Sequence, residues 1–342
     1  MRMKRKQLLW QLPLLVMLIV GAVIIISQQR NAPYQNDKGF IFGTVYNITY
    51  QNPEDLRQGI EAELRKVDVE LSMFNEQSTV SKINRGEKVS LGDGFLEVYD
   101  LARQVHENTS GAFDITVAPL VNAWGFGFKE QQMPTAHQVD SLRHFVGMDK
   151  VTLTIGKRIE KEDPRVSLDF SAIAKGYGSD RVARYLRGKG DTNFMVEIGG
   201  EIVTSGVNSE RHPWRIGVTK PTEDSLNVSQ ELQTIINVTD VAMATSGNYR
   251  NFYYKDGKRY AHTIDPKTGY PVQHNILSAT VIAKSCAIAD AYATAFMVLG
   301  LDGARQVLDA HPELMAYLIY NGKDGNYAVW YSPEMRKKIV DP

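Results

Sequence analysis

A nearly apolar stretch close to the C-terminal end carries a single carboxylate. Residues 286–299 read CAIADAYATAFMVL, where Asp290 and Thr294 are the polar exceptions apart from Tyr292. A helix that is apolar on almost every side is normally buried, and a buried carboxylate without a partner is costly. Positions four apart share a helix face, so Asp290 and Thr294 present two oxygens side by side. The pair is suited to a hard cation such as Mg²⁺, and the alternative is a carboxylate held by backbone hydrogen bonds or an arginine.

Lys175 lies in a second stretch that could do chemistry. The sequence VSLDFSAIAKGYGSDRVARYL, 166–186, predicts a strand at 166–170, a Gly-x-Gly turn that contains Lys175, and a helix from about Ser179. Backbone N–H groups in such a turn suit phosphates. The pattern lacks both the P-loop and the dinucleotide-binding glycine motifs. An ordinary strand-to-helix turn with a solvated lysine therefore remains an open alternative.

Two further segments combine turn residues with functional side chains. The first, SGAFDITVAPLVNAWGFG (110–127), joins an aspartate to glycines and aromatic residues, and it is also typical of a packed glycine-rich loop. In the second, HTIDPKTGYP (262–271), turn chemistry follows His262 at the end of a predicted strand. There a side chain can be held rigidly at the edge of a site. A histidine satisfied by the backbone is the alternative.

The composition of the whole chain bounds these possibilities. The 342 residues carry 39 basic and 39 acidic side chains, 43% of the residues are hydrophobic, and the formal net charge is zero. No global field attracts nucleic acid, so nucleic-acid binding is disfavoured. The single cysteine, Cys286, excludes an intramolecular disulfide, and its apolar setting favours a core residue over a nucleophile.

The N-terminal segment predicts a membrane anchor. Arg2, Lys4, Arg5 and Lys6 precede an apolar run from Leu8 to Ile26, close to the roughly 20 residues that span a bilayer. The basic residues place the N-terminus in the cytoplasm. A cleaved signal peptide is the competing interpretation, but no small-x-small cleavage site follows the run. We expect an anchor at 1–27, a linker at 28–38 and an extracytoplasmic domain at 39–342.

The rest of the chain mixes helix and strand patterns. Helices are expected after Asn52-Pro53, at 93–109 and 134–145, over the apolar stretch, and at 302–310. Strand signals occur at 40–51 and 151–155 and recur through the second half. This mixture predicts an α+β fold with largely antiparallel sheets.

Several stretches taken together resemble one family. They are GTVYNITY, ELSMFNEQSTVSKIN, GAFDITVAPLVNAWGFG, LDFSAIAKGYGSD, EIGGEI with PWRIGV, TSGNYR, HTIDPKTGYP and ADAYATAFMVLG. In this order they resemble the ApbE family of flavin transferases, FAD:protein FMN transferases, over about residues 40–330. The resemblance implies a two-lobed, T-fold-like α+β structure. It also implies Mg²⁺-dependent transfer of the FMN half of FAD to a threonine or serine hydroxyl of a target protein, with release of AMP.

The resemblance also implies roles for individual residues. It places a metal site at Asp290, Thr294 and the backbone oxygen of Ala172. His262 is implied as the group that assists proton removal from the target hydroxyl. The implied FAD contacts are Phe42, Phe74, Ala112, Phe113, Asp114, Asp169, Lys175 and Ile264.

Partners and departures follow from the same resemblance. The acceptor is expected to be a membrane or exported redox protein, and the enzyme itself to lie in the cell membrane as a single-pass protein. Ala293 stands where some relatives have a second aspartate, Lys175 where others carry glutamate, and Phe74 where relatives have tyrosine. The alternatives are an FAD pyrophosphatase that releases FMN and AMP, and a non-catalytic flavin-binding membrane protein.

Overall fold

The computed structural model describes residues 13–21, 32–127, 133–221, 232–248, 252–255, 258–322 and 326–340. Residues 13–21 are helical and are designated α1. The other helices are α2 (Arg57–Leu71), α3 (Thr79–Asn84), α4 (Asp93–Asn108), α5 (Ala118–Ala123), α6 (Ala136–Arg143), α7 (Ala174–Gly188), α8 (Cys286–Ala310) and α9 (Pro333–Arg336), with a 3-10 turn at Met148–Lys150. The strands are β1 (Tyr34–Ile41), β2 (Thr44–Gln51), β3 (Val151–Leu153), β4 (Ile159–Lys161), β5 (Phe194–Ile198), β6 (Glu201–Ser205), β7 (Trp214–Thr219), β8 (Leu232–Val238), β9 (Ala242–Gly247), β10 (Phe252–Lys255), β11 (Lys258–Ala261), β12 (Ile276–Ala283), β13 (Met315–Asn321), β14 (Tyr327–Tyr331) and β15 (Ile339–Val340).

An eight-stranded antiparallel sheet organises these elements. Its strand order is β1-β2-β5-β6-β9-β12-β13-β14. β12 has the sequence ILSATVIA and is buried at every position, because both of its faces are covered. A continuous apolar run of this kind is typical of a central strand, whereas β2 at 44–51 shows more alternation. The sheet therefore has a buried centre around β9 and β12.

Different layers cover the two faces of this sheet. Ala244, Val281 and Leu318 point into a core shared with α4, α7 and α8. Met243 and Ile282, one position along their strands, pack instead against the smaller β15-β8-β7 sheet. Successive strand residues face opposite sides, so each strand contributes to both cores. The result is a helix layer, a large sheet and a small sheet, which confirms the predicted α+β class with antiparallel sheets.

Helix α8 lies inside the helix layer. It is the one helix in the described ranges that is long and apolar enough to cross a membrane, and 67% of its most apolar window is buried inside the protein. Its backbone breaks at Gly300, where φ is 72°. The expected pair of helices, over the apolar stretch and at 302–310, corresponds to the two halves of α8 on either side of this break.

Some sequence-based boundaries were wrong. The helix expected from about Ser179 begins at Ala174, so Lys175 lies in its first turn rather than in a preceding turn. The stretch 166–170 forms no sheet strand and makes only an isolated parallel bridge between Val117 and Ser167. The side chains of Val166, Leu168 and Phe170 enter the core, which explains its apolar strand-like pattern. Helix α2 begins at Arg57, later than expected from Asn52-Pro53.

The N-terminal boundaries also differ. Residues 34–38, expected to belong to a linker, form the first part of β1, because that strand pairs with β2 along its whole length. Residues 1–12 and 22–31 of the expected anchor and linker lie outside the described residues. Within α1, the side chains of residues 13–20 are exposed.

Helices α7 and α8 cross closely at Gly176, and a substitution there tests this packing. A Cβ on Gly176 would lie 2.3 Å from the carbonyl oxygen of Cys286 and 2.8 Å from the amide nitrogen of Ala287. Both are backbone atoms of α8, so neither can rotate away. We expect Gly176→Ala to lower the free energy of unfolding by about 1–3 kcal/mol, measured by urea denaturation.

Gly188→Ala at the other end of α7 is the matched control. No atom lies within 4 Å of its Cβ position, and alanine is the better helix former. Its stability should be unchanged or raised by up to about 1 kcal/mol. Equal stability of the two variants would contradict the close crossing.

Candidate functional site

A cavity of about 430 Å³ opens between the helix layer and the loops that follow β11 and α4. Its wall contains side chains from α7, α8, β6 and β9. Eleven of the twelve residues implied by the family resemblance line it: Phe74, Ala112, Phe113, Asp114, Asp169, Ala172, Lys175, His262, Ile264, Asp290 and Thr294. Residues that are far apart in the chain therefore meet at one site.

Phe42 is the residue that the cavity wall does not include. It lies in the turn between β1 and β2 with a positive φ of 52°. Its ring packs on α7 at Gly178, where an added Cβ would lie 2.8 Å from the ring. Phe42 thus supports the helix that carries Lys175 instead of lining the cavity.

Asp290 and Thr294 contribute two oxygen-bearing side chains of α8 to the wall. Asp290 is 1% exposed, and its Oδ2 accepts a hydrogen bond of 3.1 Å from the backbone N–H of Gly176. The hydroxyls of Thr294 and Ser246 lie 3.2 Å apart, which links α8 to β9. As the 3.6-residue period requires, the two oxygen-bearing side chains share the helix face that meets the cavity.

Lys175 connects Asp290 to a second buried carboxylate. Its Nζ lies 3.0 Å from Oε1 of Glu201 and 3.7 Å from Oδ1 of Asp290. Burial opposes the charge on Lys175, but Asp290 and Glu201 outweigh it and raise the pKa of the ammonium. Lysine therefore stays protonated here, and the alternative of a solvated lysine was wrong.

Two buried carboxyl groups share the ammonium of Lys175. Burial first, and then the charge of Asp290, raises the pKa of Glu201. Burial also raises the pKa of Asp290, against the opposing effect of Lys175. Oε2 of Glu201 is buried and has no hydrogen-bond partner among the described residues. A cation bound here would favour the ionised form of both carboxylates, so this part of the cavity wall is suited to one.

Asp180 holds the start of α8 in place. Its two carboxylate oxygens accept the backbone N–H groups of Cys286 and Ala287 at 2.8 and 2.9 Å. Burial raises the pKa of Asp180 to about 6, although these hydrogen bonds act in the opposite direction. The first N–H groups of a helix have no partner inside the helix, so a carboxylate from α7 both caps α8 and sets its position. Cys286 itself is fully buried, as expected of a core residue.

The loop after α4 builds the opposite wall. Asp114 is buried, and its Oδ1 accepts hydrogen bonds from the backbone N–H and the hydroxyl of Thr116 at 2.8 and 2.5 Å. The backbone N–H of Asp169 donates to the carbonyl of Ile115 over 2.6 Å. These bonds hold the 112–116 loop against the segment that leads into α7.

Aromatic and turn residues form the rim. The Phe74 side chain is 65% exposed at the cavity mouth, which leaves its ring able to cover a ligand. The rings of His262 and Phe126 meet edge to face with centroids 6.4 Å apart. Ile264 pairs with Pro271 in an isolated bridge, which closes the turn and places His262 at the cavity.

Sequence reasoning missed Glu201, Asp180 and Ser246. Glu201 follows the Gly199-Gly200 turn at the start of β6, inside a segment treated only as a motif. No local signal pointed to Glu201, because its pairing with Lys175 joins residues 26 positions apart. Asp180 and Ser246 had no signal, since their roles depend on the contacts of α8 with α7 and β9.

The donor set fits a divalent cation of the Mg²⁺ type. Asp290 and Thr294 supply hard oxygens, and Glu201 adds to the same wall a buried carboxyl oxygen without a hydrogen-bond partner among the described residues. No group of three or more His, Cys, Asp or Glu side chains arranged for a metal occurs among the residues that the structure describes. Mg²⁺ needs few protein ligands when substrate phosphates and water complete its shell.

Comparison with known proteins identifies relatives over most of the chain. Residues 42–319 match the ApbE family. An FAD:protein FMN transferase from Haemophilus influenzae is 36% identical over 91% of this chain and 93% of its own length. One from Vibrio cholerae is 37% identical over 90% of this chain and 93% of its length.

Solved structures show the same fold. The flavin transferase ApbE from Vibrio cholerae superposes with a TM-score of 0.81 at 37% identity, over 90% of this chain and 99% of that one. The apo form of the flavinyl transferase ApbE from Pseudomonas stutzeri superposes with a TM-score of 0.79 at 29% identity, over 90% of this chain and 96% of that one. The agreement in sequence and structure spans the elements that build the cavity, and this chain belongs to the ApbE family.

Proposed function

We propose that this chain is an FAD:protein FMN transferase that moves FMN from FAD to a threonine or serine hydroxyl of an acceptor protein. The observation that carries the proposal is the buried Asp290, which shares a helix face with Thr294 at the wall of a ligand-sized cavity. Relatives named for this activity match about nine-tenths of the chain.

The reaction is a phosphoryl transfer. The acceptor oxygen attacks the phosphorus on the FMN side of the pyrophosphate, the bond to the bridging oxygen breaks, and AMP leaves with that oxygen. Such reactions depend more on positioning and charge neutralisation than on a strong nucleophile. The residues at the cavity wall must therefore bind the pyrophosphate and align the hydroxyl.

Asp290, Thr294 and the backbone oxygen of Ala172 would hold Mg²⁺. When bound, the ion supplies positive charge that neutralises the pyrophosphate and stabilises the leaving AMP. The Lys175 ammonium is held close to Asp290 and Glu201 and contributes a fixed positive charge beside the nucleotide. One protein carboxylate in the metal set leaves room for the phosphates.

His262 is positioned to take the proton of the acceptor hydroxyl. It is half-buried at the rim of the cavity, with one face toward Phe126 and a closed turn behind it. Histidine suits this role because its ordinary pKa lies close to neutral pH. Phe74 lies at the same mouth, where covering the flavin would exclude the water that would otherwise hydrolyse FAD.

The proposed location follows from the N-terminal sequence. We propose a single membrane-spanning anchor at 1–27 with a cytoplasmic N-terminus, and an acceptor that is a membrane or exported redox protein.

Protease added outside intact spheroplasts should digest the domain at 39–342. Digestion only after lysis would contradict this topology.

Asp290→Ala tests the metal and the reaction together. Wild type with FAD, Mg²⁺ and an acceptor protein should give flavin bound to protein, measured by in-gel flavin fluorescence, and free AMP, measured by chromatography. The rate of the variant should be at least about 100-fold lower, because the metal loses its carboxylate ligand. A chelator should abolish the wild-type reaction.

The exposed Asp309 near the C-terminal end of α8 provides the matched control. Asp309→Ala should keep the wild-type rate. Free FMN with no flavin on protein would instead identify an FAD pyrophosphatase. Unchanged turnover in Asp290→Ala would reject the metal assignment.

His262→Ala tests the proton acceptor. We expect the transfer rate to fall by about 10²–10⁴-fold while the affinity for FAD, measured by flavin fluorescence, stays within about twofold. His212→Ala, at a side chain that is 65% exposed, should change neither quantity. A His262→Ala enzyme with the wild-type rate would assign the proton to another group.

A further inference from the structure

A second cavity adjoins the first and is lined by basic side chains. It has a volume of about 390 Å³ and shares Asp114 and Pro266 with the FAD cavity. His106 from α4, Arg143 from α6 and Lys267 from the turn after β11 converge on it. Three different elements thus place nitrogen-bearing side chains in one cavity beside the proposed active site.

Glycines allow these side chains to converge. The Cβ position of Gly111, where φ is 83°, lies 3.5 Å from Cε1 of His106 and 3.7 Å from Cε of Lys267. At Gly269 the equivalent position lies 2.9 Å from Cγ of Arg143. A side chain at Gly269 would therefore crowd Arg143, whereas at Gly111 the positive φ is what favours glycine.

The turn that carries Lys267 is rigid. The backbone N–H of Gly269 donates to the carbonyl of Asp265 at 2.8 Å, and that of Lys267 donates to the Asp265 carboxylate at 2.9 Å. The same segment places His262 at the FAD cavity, five residues before Lys267. The basic cavity therefore has a fixed position relative to the proposed proton acceptor.

The charges in the second cavity are not balanced internally. Lys267 makes no ion pair within the described part of the chain, and Arg143 pairs only with Asp140, at 3.6 Å on an exposed helix face. Nδ1 of His106 donates to the carbonyl of Phe113 at 2.9 Å and lies 3.5 Å from Asp114, so Lys267 and Arg143 carry the positive charge of this cavity. Asp114 is the one carboxylate in the wall, and its Oδ1 is already bonded to Thr116.

The chemistry of the two substrates indicates which ligand the second cavity binds. FAD has one anionic group, its pyrophosphate, and the proposed function assigns that group to Asp290 and Thr294 through Mg²⁺. A second anion site beside the same cavity is therefore left for the other substrate. Lys267 is exposed, as a group that contacts a protein must be.

We propose that the His106, Arg143 and Lys267 cavity binds an acidic side chain of the acceptor protein and so aligns its hydroxyl with the FAD site. This inference rests on the proposed function and adds a determinant of acceptor choice to it. Opposite charges across an interface chiefly give specificity and orientation, so the cavity would select acceptors with a carboxylate near the modified residue.

Peptide binding to the full chain tests the inference. The probes are two synthetic peptides of alternating glycine with glutamate or with glutamine, titrated calorimetrically into protein with and without saturating FAD. We expect the glutamate peptide to bind at least about tenfold more tightly than the glutamine peptide at low salt, with the difference shrinking at high salt. FAD should not displace it.

Lys267→Glu should remove the preference for glutamate, and Lys267→Gln should reduce it. Lys337→Glu, at an exposed lysine directly after α9, should keep it. The dissociation constant for FAD should stay within about twofold in all three variants.

Each other outcome overturns the inference. Equal binding of the two peptides, or a preference that survives Lys267→Glu, would remove the anion site. Competition between FAD and the glutamate peptide would make the cavity part of the nucleotide site. Failure of wild type to bind FAD would instead reject the proposed function, and the peptide comparison would still report on the cavity.

Discussion

The contact between α7 and α8 determines the position of the polar groups in the cavity. Gly176 brings the two backbones together, and its N–H donates to Asp290. One turn further along α7, Asp180 accepts the first N–H groups of α8. The same helix supplies Lys175, whose ammonium lies between two buried carboxylates. The Lys175 ammonium and the Gly176 N–H favour the ionised form of Asp290, against burial, which still raises its pKa.

This arrangement explains why α8 combines an apolar sequence with one aspartate. Its alanines allow α7, α4 and β9 to approach closely, and Asp290 is then the side chain that keeps a charge inside this packing. Lys175 does not fully offset the burial of Asp290 and Glu201, and a bound cation would favour the ionised forms of both carboxylates. The requirements of the fold and of the proposed reaction are met by the same residues.

Much of the site followed from local sequence signals, and the rest depended on tertiary contacts. The face shared by Asp290 and Thr294 follows from helix periodicity, and the position of His262 follows from the turn chemistry after it. The start of α7 at Ala174 did not follow, because two glycines in the first turns imitate a loop. Gly176 is required by the close contact with α8, and Gly178 by the ring of Phe42. The pairing of Lys175 with Glu201 links residues 26 positions apart, which no local pattern encodes. Family resemblance supplied the remaining residues, and Phe42 shows that such a residue can lie behind the wall instead of in it.

The central claim is that the FMN half of FAD is transferred to protein. FAD labelled with radioactive phosphorus in either of its two phosphates measures this directly, after incubation of the full chain with Mg²⁺ and an acceptor protein. The account predicts that label on the FMN side remains with the acceptor through denaturing electrophoresis, whereas label on the AMP side is released as AMP. Label from the AMP side on the acceptor, or release of both labels as small molecules, would contradict it.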